Sequence, residues 1–312
     1  MRRTIVVGTR QSTLAITQTS WVIERLKELS SKLNLEIDFE IRKIVTRGDQ
    51  ILNVTLSQVG GKSLFTKELE EGMLTGDIDL AVHSLKDMPF DLPKGLLIGA
   101  VPEREDPRDA LISKSYNSIE ELPRGAKVGT SSPRRASQLM HIRPDLRICA
   151  IRGNIDSRIR KFESEGFDAI ILAAAGLRRI GMMDQIAALL PPDTFVPAVG
   201  QGALAVECRA DDHFLLKLLR YFQHEPTALA VTAERSFLGS LGGGCHVPLG
   251  AYATLQPNDA NTTPLIELTG FVGLPNGEKL IKETCLGSNA KLLGKEVAAC
   301  LRARDAQSIL AK

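Results

Sequence analysis

One pattern occurs twice in this chain. The β-branched run Thr4 to Val7 ends at Gly8 and passes through Thr9-Arg10-Gln11-Ser12 into helical periodicity from about Leu14 to Leu33. Much later, Ala126 to Gly129 reads as a strand and passes through Thr130-Ser131-Ser132-Pro133-Arg134 into the helical stretch SSPRRASQLMHI. A buried strand that turns directly into a Ser-led helix opens an α/β unit, so the chain is expected to build two of them. Each Ser reads plainly as an N-cap, and Pro133 suits a first helical turn. Helix N-termini also attract anions through free N–H groups and the helix dipole. The pattern recurs with arginine attached, which suggests two anion sites facing one cleft.

The intervening segments keep the alternation going. Glu36 to Val45 alternates as a strand, Leu64 to Leu74 is helical, and Ile78 to Val82 is a strand leading into HSLKDMP. After the second repeat, Leu146 to Ile151 and Ala169 to Ala174 are strands around a helix at Ile155 to Glu165, and a further strand pattern lies near Ala203 to Glu207. The last third changes character. A helix at Thr227 to Leu241 precedes strands near Gly250 to Leu255, Ile266 to Val272 and Lys279 to Cys285, then a closing helix at Ser288 to Leu301. That order predicts a small α+β domain with an antiparallel sheet.

A chain of 312 residues, 43% hydrophobic, can support two or three cores. Five widely spaced cysteines with no CxxC pair argue against a zinc ribbon or a thioredoxin-type site, and no metal site is expected. The opening MRRTIVVGTRQS is too briefly apolar for a signal peptide, and no run is long enough to span a bilayer. These readings predict a cytoplasmic protein with free thiols and no membrane partner. Nucleic acid is disfavoured, because aromatics make up only 4% of the chain and leave little for base stacking.

Candidate chemistry gathers at strand ends. An arginine series runs Arg134, Arg135, Arg143, Arg147, Arg152, Arg158, Arg160, Arg178 and Arg179. Any one of these is adequately explained by a surface ion pair, but the Arg134-Arg135 pair behind Ser132 favours anion binding. Asp87, beside Lys86 in VHSLKDMP, is either a surface pair or a cleft carboxylate able to move a proton. VGGKSLF, with Lys62 and Phe65, lacks the P-loop spacing and reads as a turn or a lysine-bearing lid. In GGGCHVPL, Cys245 sits among glycines, which allows access to the thiol and leaves packing or chemistry open.

Taken in order, GTRQSTLA, VTRGD, VGGKSLFTKELE, DLAVHSLKDMP, EREDPRDA, VGTSSPRRASQL, RGNIDSRIRK, DAIILAAAGLRRIG, PAVGQGALAVECR, TAERSFL and GGGCHVPLGAY closely resemble the porphobilinogen deaminase (hydroxymethylbilane synthase) family over nearly the whole chain. The resemblance implies two α/β domains like type II periplasmic binding proteins, with mixed sheets and the active cleft between them, plus the small C-terminal domain. The domains would span residues 1–102 with 198–218, then 103–197, then 219–312. It also implies a monomer that joins four porphobilinogen molecules head to tail, releases ammonia, and frees the linear bilane by hydrolysis. By the same match, Cys245 would hold a dipyrromethane cofactor through a thioether, and Asp87 would be catalytic. Arg10, Ser12, Lys62, Phe65, Ser84, Lys86, Ser132, Arg134, Arg135, Arg152, Arg158 and Arg179 would bind cofactor or substrate. A rival reading from the residues, a solute-binding protein that closes on a dicarboxylate without chemistry, leaves the third domain unexplained.

Overall fold

The computed structural model describes residues 3–50, 64–242, 247–256 and 264–310. Within them run thirteen strands: β1 (Arg3–Arg10), β2 (Ile37–Ile44), β3 (Leu80–Ser84), β4 (Leu96–Ala100), β5 (Asp109–Ile112), β6 (Lys127–Gly129), β7 (Arg147–Cys149), β8 (Ala169–Ala173), β9 (Ala188–Leu190), β10 (Leu204–Arg209), β11 (Leu249–Leu255), β12 (Ile266–Gly273) and β13 (Leu280–Gly287). The chain divides into two compact units, Met1–Arg104 with Ala203–Ala228 and Glu105–Gly202 with Leu229–Lys312.

The first unit is built on a sheet of order β2-β1-β3-β10-β4. β1 lies parallel to β2 and β3, while β10 is antiparallel to β3 and β4. Period-2 alternation sends Ile5, Val7, Leu80, Val82 and Val206 to one face, where Val22 and Leu26 of the helix Thr13–Lys32 cover them. Ala81 points the other way, against Leu69 and Met73 of the helix Lys67–Thr75.

The second unit contains a sheet of order β7-β6-β8-β5-β9. The first three strands are parallel, and β5 runs antiparallel to β8 and β9. Both five-stranded sheets therefore share one layout, in which a single reversed strand is inserted beside the third parallel strand. This is the mixed α/β architecture expected for periplasmic-binding-protein-like domains. The same unit carries the expected antiparallel sheet β11-β12-β13, with its own core of Phe237, Ile266, Leu268, Val297 and Leu301.

The periodicity reading passes over β4, β5, β9 and the helix His213–Phe222. β5 is buried on both faces, so its four residues carry no alternation to detect.

At the end of PAVGQGA, Gly202 has φ +87°, and a Cβ there would lie 2.2 Å from the Glu105 carbonyl oxygen. Backbone cannot swing aside as a side chain can. Gly202→Ala is therefore expected to cost roughly 3 kcal/mol or more, from left-handed strain and overlap together. A urea-unfolding midpoint matching the parent protein would contradict this.

Candidate active site

In both five-stranded sheets, the polar groups gather where parallel strands end, the usual ligand-binding edge of such sheets. Ser12 follows β1 and caps the helix Thr13–Lys32, accepting from Ala15 N–H at 3.3 Å. Ser132 follows β6 and caps Pro133–Ile142, accepting from Arg135 N–H at 3.4 Å, with Pro133 in the first turn. The repeated motif is thus a pair of true N-caps.

In the first unit, Arg10, Ser12, Phe65, His83, Ser84 and Asp87 all line one small cavity of about 50 Å³. Asp87 is exposed at the end of a 3₁₀ turn, Leu85–Asp87, that continues β3. Ser84 accepts from the Gln18 amide at 3.1 Å. Arg10 is held from two sides. Its guanidinium lies 4.2 Å from the centre of the Phe65 ring, and its Nε donates to Asp49 at 3.2 Å. Burial alone would raise the Asp49 carboxyl, but the Arg10 hydrogen bonds and charge override it and hold the group low.

In the second unit, Arg134 and Arg135 turn inward from the helix start. Arg134 donates to Asp109 at 2.7 and 3.1 Å and to the Val196 carbonyl at 2.8 Å. Arg135 donates to Asp109 from Nε at 2.9 Å and to the Ile171 carbonyl at 3.0 Å. Asp109 has no solvent exposure and also accepts from Gln201 at 3.1 Å. Two guanidiniums meet one carboxylate, so positive charge is left over at this helix start. Arg152 follows β7, and its Nη1 is buried with no hydrogen-bond partner among the described residues. Arg158 donates from Nε to the Gly153 carbonyl at 2.8 Å. Arg179, after β8, donates to the Gly202 carbonyl at 2.7 Å, and burial lowers its pKa to about 10 against the pull of Glu105.

These anion-directed ends fit many ligands, and sequence comparison narrows the choice. Residues 5–217 match the domain described as "Porphobilinogen deaminase, dipyromethane cofactor binding domain", and residues 228–303 match the C-terminal domain of the same enzyme. The chain belongs to the porphobilinogen deaminase family. The porphobilinogen deaminase of Brevibacillus brevis is 55% identical over 98% of this chain and 96% of that protein. The one from Bacillus subtilis is 52% identical over 99% and 96% respectively. Among solved structures, a methionine-binding lipoprotein from Bacillus subtilis superposes with a TM-score of 0.45 at 12% identity, over 71% of this chain and 90% of that one.

Two of the residues singled out by the resemblance, Cys245 and Lys62, lie outside the described residues. Gly242, two residues past the helix Glu225–Ser240, has φ +63°, a conformation that suits glycine. The described cysteines Cys149, Cys208, Cys285 and Cys300 are free thiols. Among the described residues, no group of three or more His, Cys, Asp or Glu could hold a metal ion, and no helix is long and apolar enough to cross a membrane. Sequence reasoning gave no role to Asp49, which pins Arg10, or to Asp109, which holds Arg134 and Arg135. Both sit in quoted motifs, VTRGD and EREDPRDA, but their partners are remote in sequence.

Proposed function

We propose that this chain couples four porphobilinogen molecules head to tail, expelling ammonia at each step and releasing the linear bilane by hydrolysis. In this reading Cys245 anchors a dipyrromethane primer, Asp87 is the catalytic carboxylate, and the enzyme acts as a cytoplasmic monomer of three domains. The observation that carries the reading is the family match across both parts of the chain, at 55% identity to the Brevibacillus brevis enzyme over 306 residues.

The residues present fit a primer rich in carboxylates. Arg152 offers a buried donor without a partner among the described residues, and Arg134 with Arg135 outnumber the single charge of Asp109. We assign Arg10, Ser12, Lys62, Phe65, Ser84, Lys86, Ser132, Arg134, Arg135, Arg152, Arg158 and Arg179 to holding acetate and propionate groups and the rings that bear them. Guanidinium forks match carboxylates in pairs, and helix starts add N–H donors. When bound, the dipyrromethane supplies the free pyrrole carbon that accepts the first substrate.

Asp87 acts on the substrate. Departure of ammonia leaves a cation spread over the pyrrole ring and its N–H. A carboxylate accepting that N–H stabilises the charge as it develops. The arginines neutralise carboxylates and steer binding, but a guanidinium holds its protons too tightly to be a good proton donor near neutral pH.

The primary test is the intact mass of the purified protein, which is expected to exceed the bare polypeptide by two pyrrole units. Cys245→Ser is expected to carry no adduct and form no bilane at the parent rate; normal turnover by that variant would sink the assignment. A second expectation concerns Asp49. Asp49→Asn loosens Arg10 and is expected to raise KM about three- to tenfold through the loss of one charge-assisted contact, with kcat changing less. Steady-state ammonia release reads both constants, and an unchanged KM would show that Arg10 needs no such support.

A further inference from the structure

A second cluster of ionisable groups adjoins the Asp87 pocket. On β3, His83 shares a face with Ala81. On β10, Glu207 pairs with Ala81 and Ala205 pairs with His83. His83 and Glu207 are therefore diagonal neighbours on one face of the sheet. The His83 Nε2 lies 3.0 Å from Glu207 Oε2, with side chains 4% and 0% exposed. Across from them, in the first turn of the helix Lys67–Thr75, Glu70 is only 4% exposed.

This cluster is short of partners. Among the described residues, both Glu207 oxygens, Glu70 Oε1, Thr66 Oγ1 and His83 Nε2 are buried without an aligned hydrogen bond. Two carboxylates in so dry a space cannot both carry charge cheaply. Burial above all, together with the charges of Glu207 and Glu68, raises the Glu70 carboxyl over the opposing effects of Thr66 and His83. Glu68 Oε1 accepts from the Arg47 N–H, while its Oε2 is likewise buried without a partner among the described residues. The cluster meets the site at two places, since His83 and Thr66 line the same cavity as Arg10, Ser84 and Asp87.

We propose that Glu70, His83 and Glu207 form a proton store for the coupling reaction, exchanging protons with the Asp87 pocket through His83. The proposal rests on the deaminase reading. In each coupling the substrate's aminomethyl group arrives as an ammonium, and its C–N bond breaks with the electron pair leaving on ammonia. The attacking pyrrole carbon then forms the new C–C bond. It still carries hydrogen, and its C–H bond must break, with the electrons returning to the ring. One proton per coupling therefore needs a base. The store takes it up and later gives it to solvent or to the released ammonia, so each cycle balances as one ammonium formed. Glu70 and Glu207 are positioning residues in this scheme, because they act on the proton through His83, which lines the pocket.

The test uses holoenzyme and porphobilinogen deuterated at the free pyrrole carbon. Glu207→Gln is expected to retain the cofactor mass, lower kcat about tenfold to a hundredfold with little change in KM, and reveal a primary isotope effect absent in the parent. Its kcat–pH profile is expected to shift. Where Glu207→Gln does not fold, Glu70→Gln is read in the same way. Infrared difference spectra of parent against Glu70→Gln are expected to show loss of a protonated carboxyl band at neutral pH. No such band, or an isotope effect and pH profile identical to the parent, overturns the proton store. A parent enzyme that releases no ammonia overturns the deaminase reading instead.

Discussion

Asp87→Asn is expected to lower kcat for bilane formation by at least about a hundredfold, the usual loss when a positioned acid–base or charge-stabilising group is removed. Asparagine keeps the shape and can still accept a hydrogen bond, but it brings no negative charge to the developing pyrrole cation. The proposed reading gives the substrate carboxylates to other residues, so KM is expected to move little. Asp87 is exposed at the end of a short 3₁₀ turn, so the unfolding midpoint is expected to stay where it is. Asp87→Glu retains the charge and is expected to recover part of the rate. Ammonia release in the steady state, alongside a thermal melt, separates these effects. Activity within tenfold of the parent in Asp87→Asn would remove Asp87 from the catalytic role.

The largest effect on stability is expected at Asp109. Its carboxylate takes hydrogen bonds from Arg134, Arg135 and Gln201 while wholly buried. Asp109→Asn leaves two buried guanidiniums without an anion and turns an amide N–H₂ toward one of them. Breaking a buried ion pair from one side costs about 3–5 kcal/mol, a large share of a typical domain's stability. Chemical denaturation would read this directly, and a loss below about 1 kcal/mol would mean the arginines find other partners.

The same site makes a prediction about acid. Burial by itself would raise the Asp109 carboxyl, but the two guanidiniums override it and hold it far below the ordinary carboxylate range. The depressed folded-state value means that the unfolded chain binds the proton first as pH falls. The stabilisation is thus fully present above the unfolded value of about 3.9 and is lost below it, as pH falls toward the folded value. Acid titration of Asp109→Asn is expected to show a shallower fall in stability below about pH 4 than the parent shows.

These effects separate what is local from what is remote. The repeated strand, glycine, serine and helix signature depends on neighbours in sequence, and both serines cap their helices as the local pattern requires. The antiparallel C-terminal sheet was legible for the same reason, since its strands follow one another. β5 was not legible: four residues buried on both faces have no period, and the strand is defined by partners on β8 and β9 far along the chain. The arginine series was legible as a store of positive charge, but the partners of each arginine were not. Arg10 meets Asp49 across 39 residues, and Arg134 meets Asp109 across 25.

The amino-acid sequence by itself determined the α/β alternation, the two capped helix starts, the excess of arginine at strand ends and, through its long motifs, the family. Those properties follow from short-range geometry and from residue types, which need no folded context to be read. Only the tertiary structure decided how the buried charges are paired. It set two arginines on Asp109, held Arg10 between Phe65 and Asp49, and brought Glu70, His83 and Glu207 together beside the Asp87 pocket. Sheet register and helix packing make those contacts, and the energy of a buried charge depends on which group lies within a few ångströms of it.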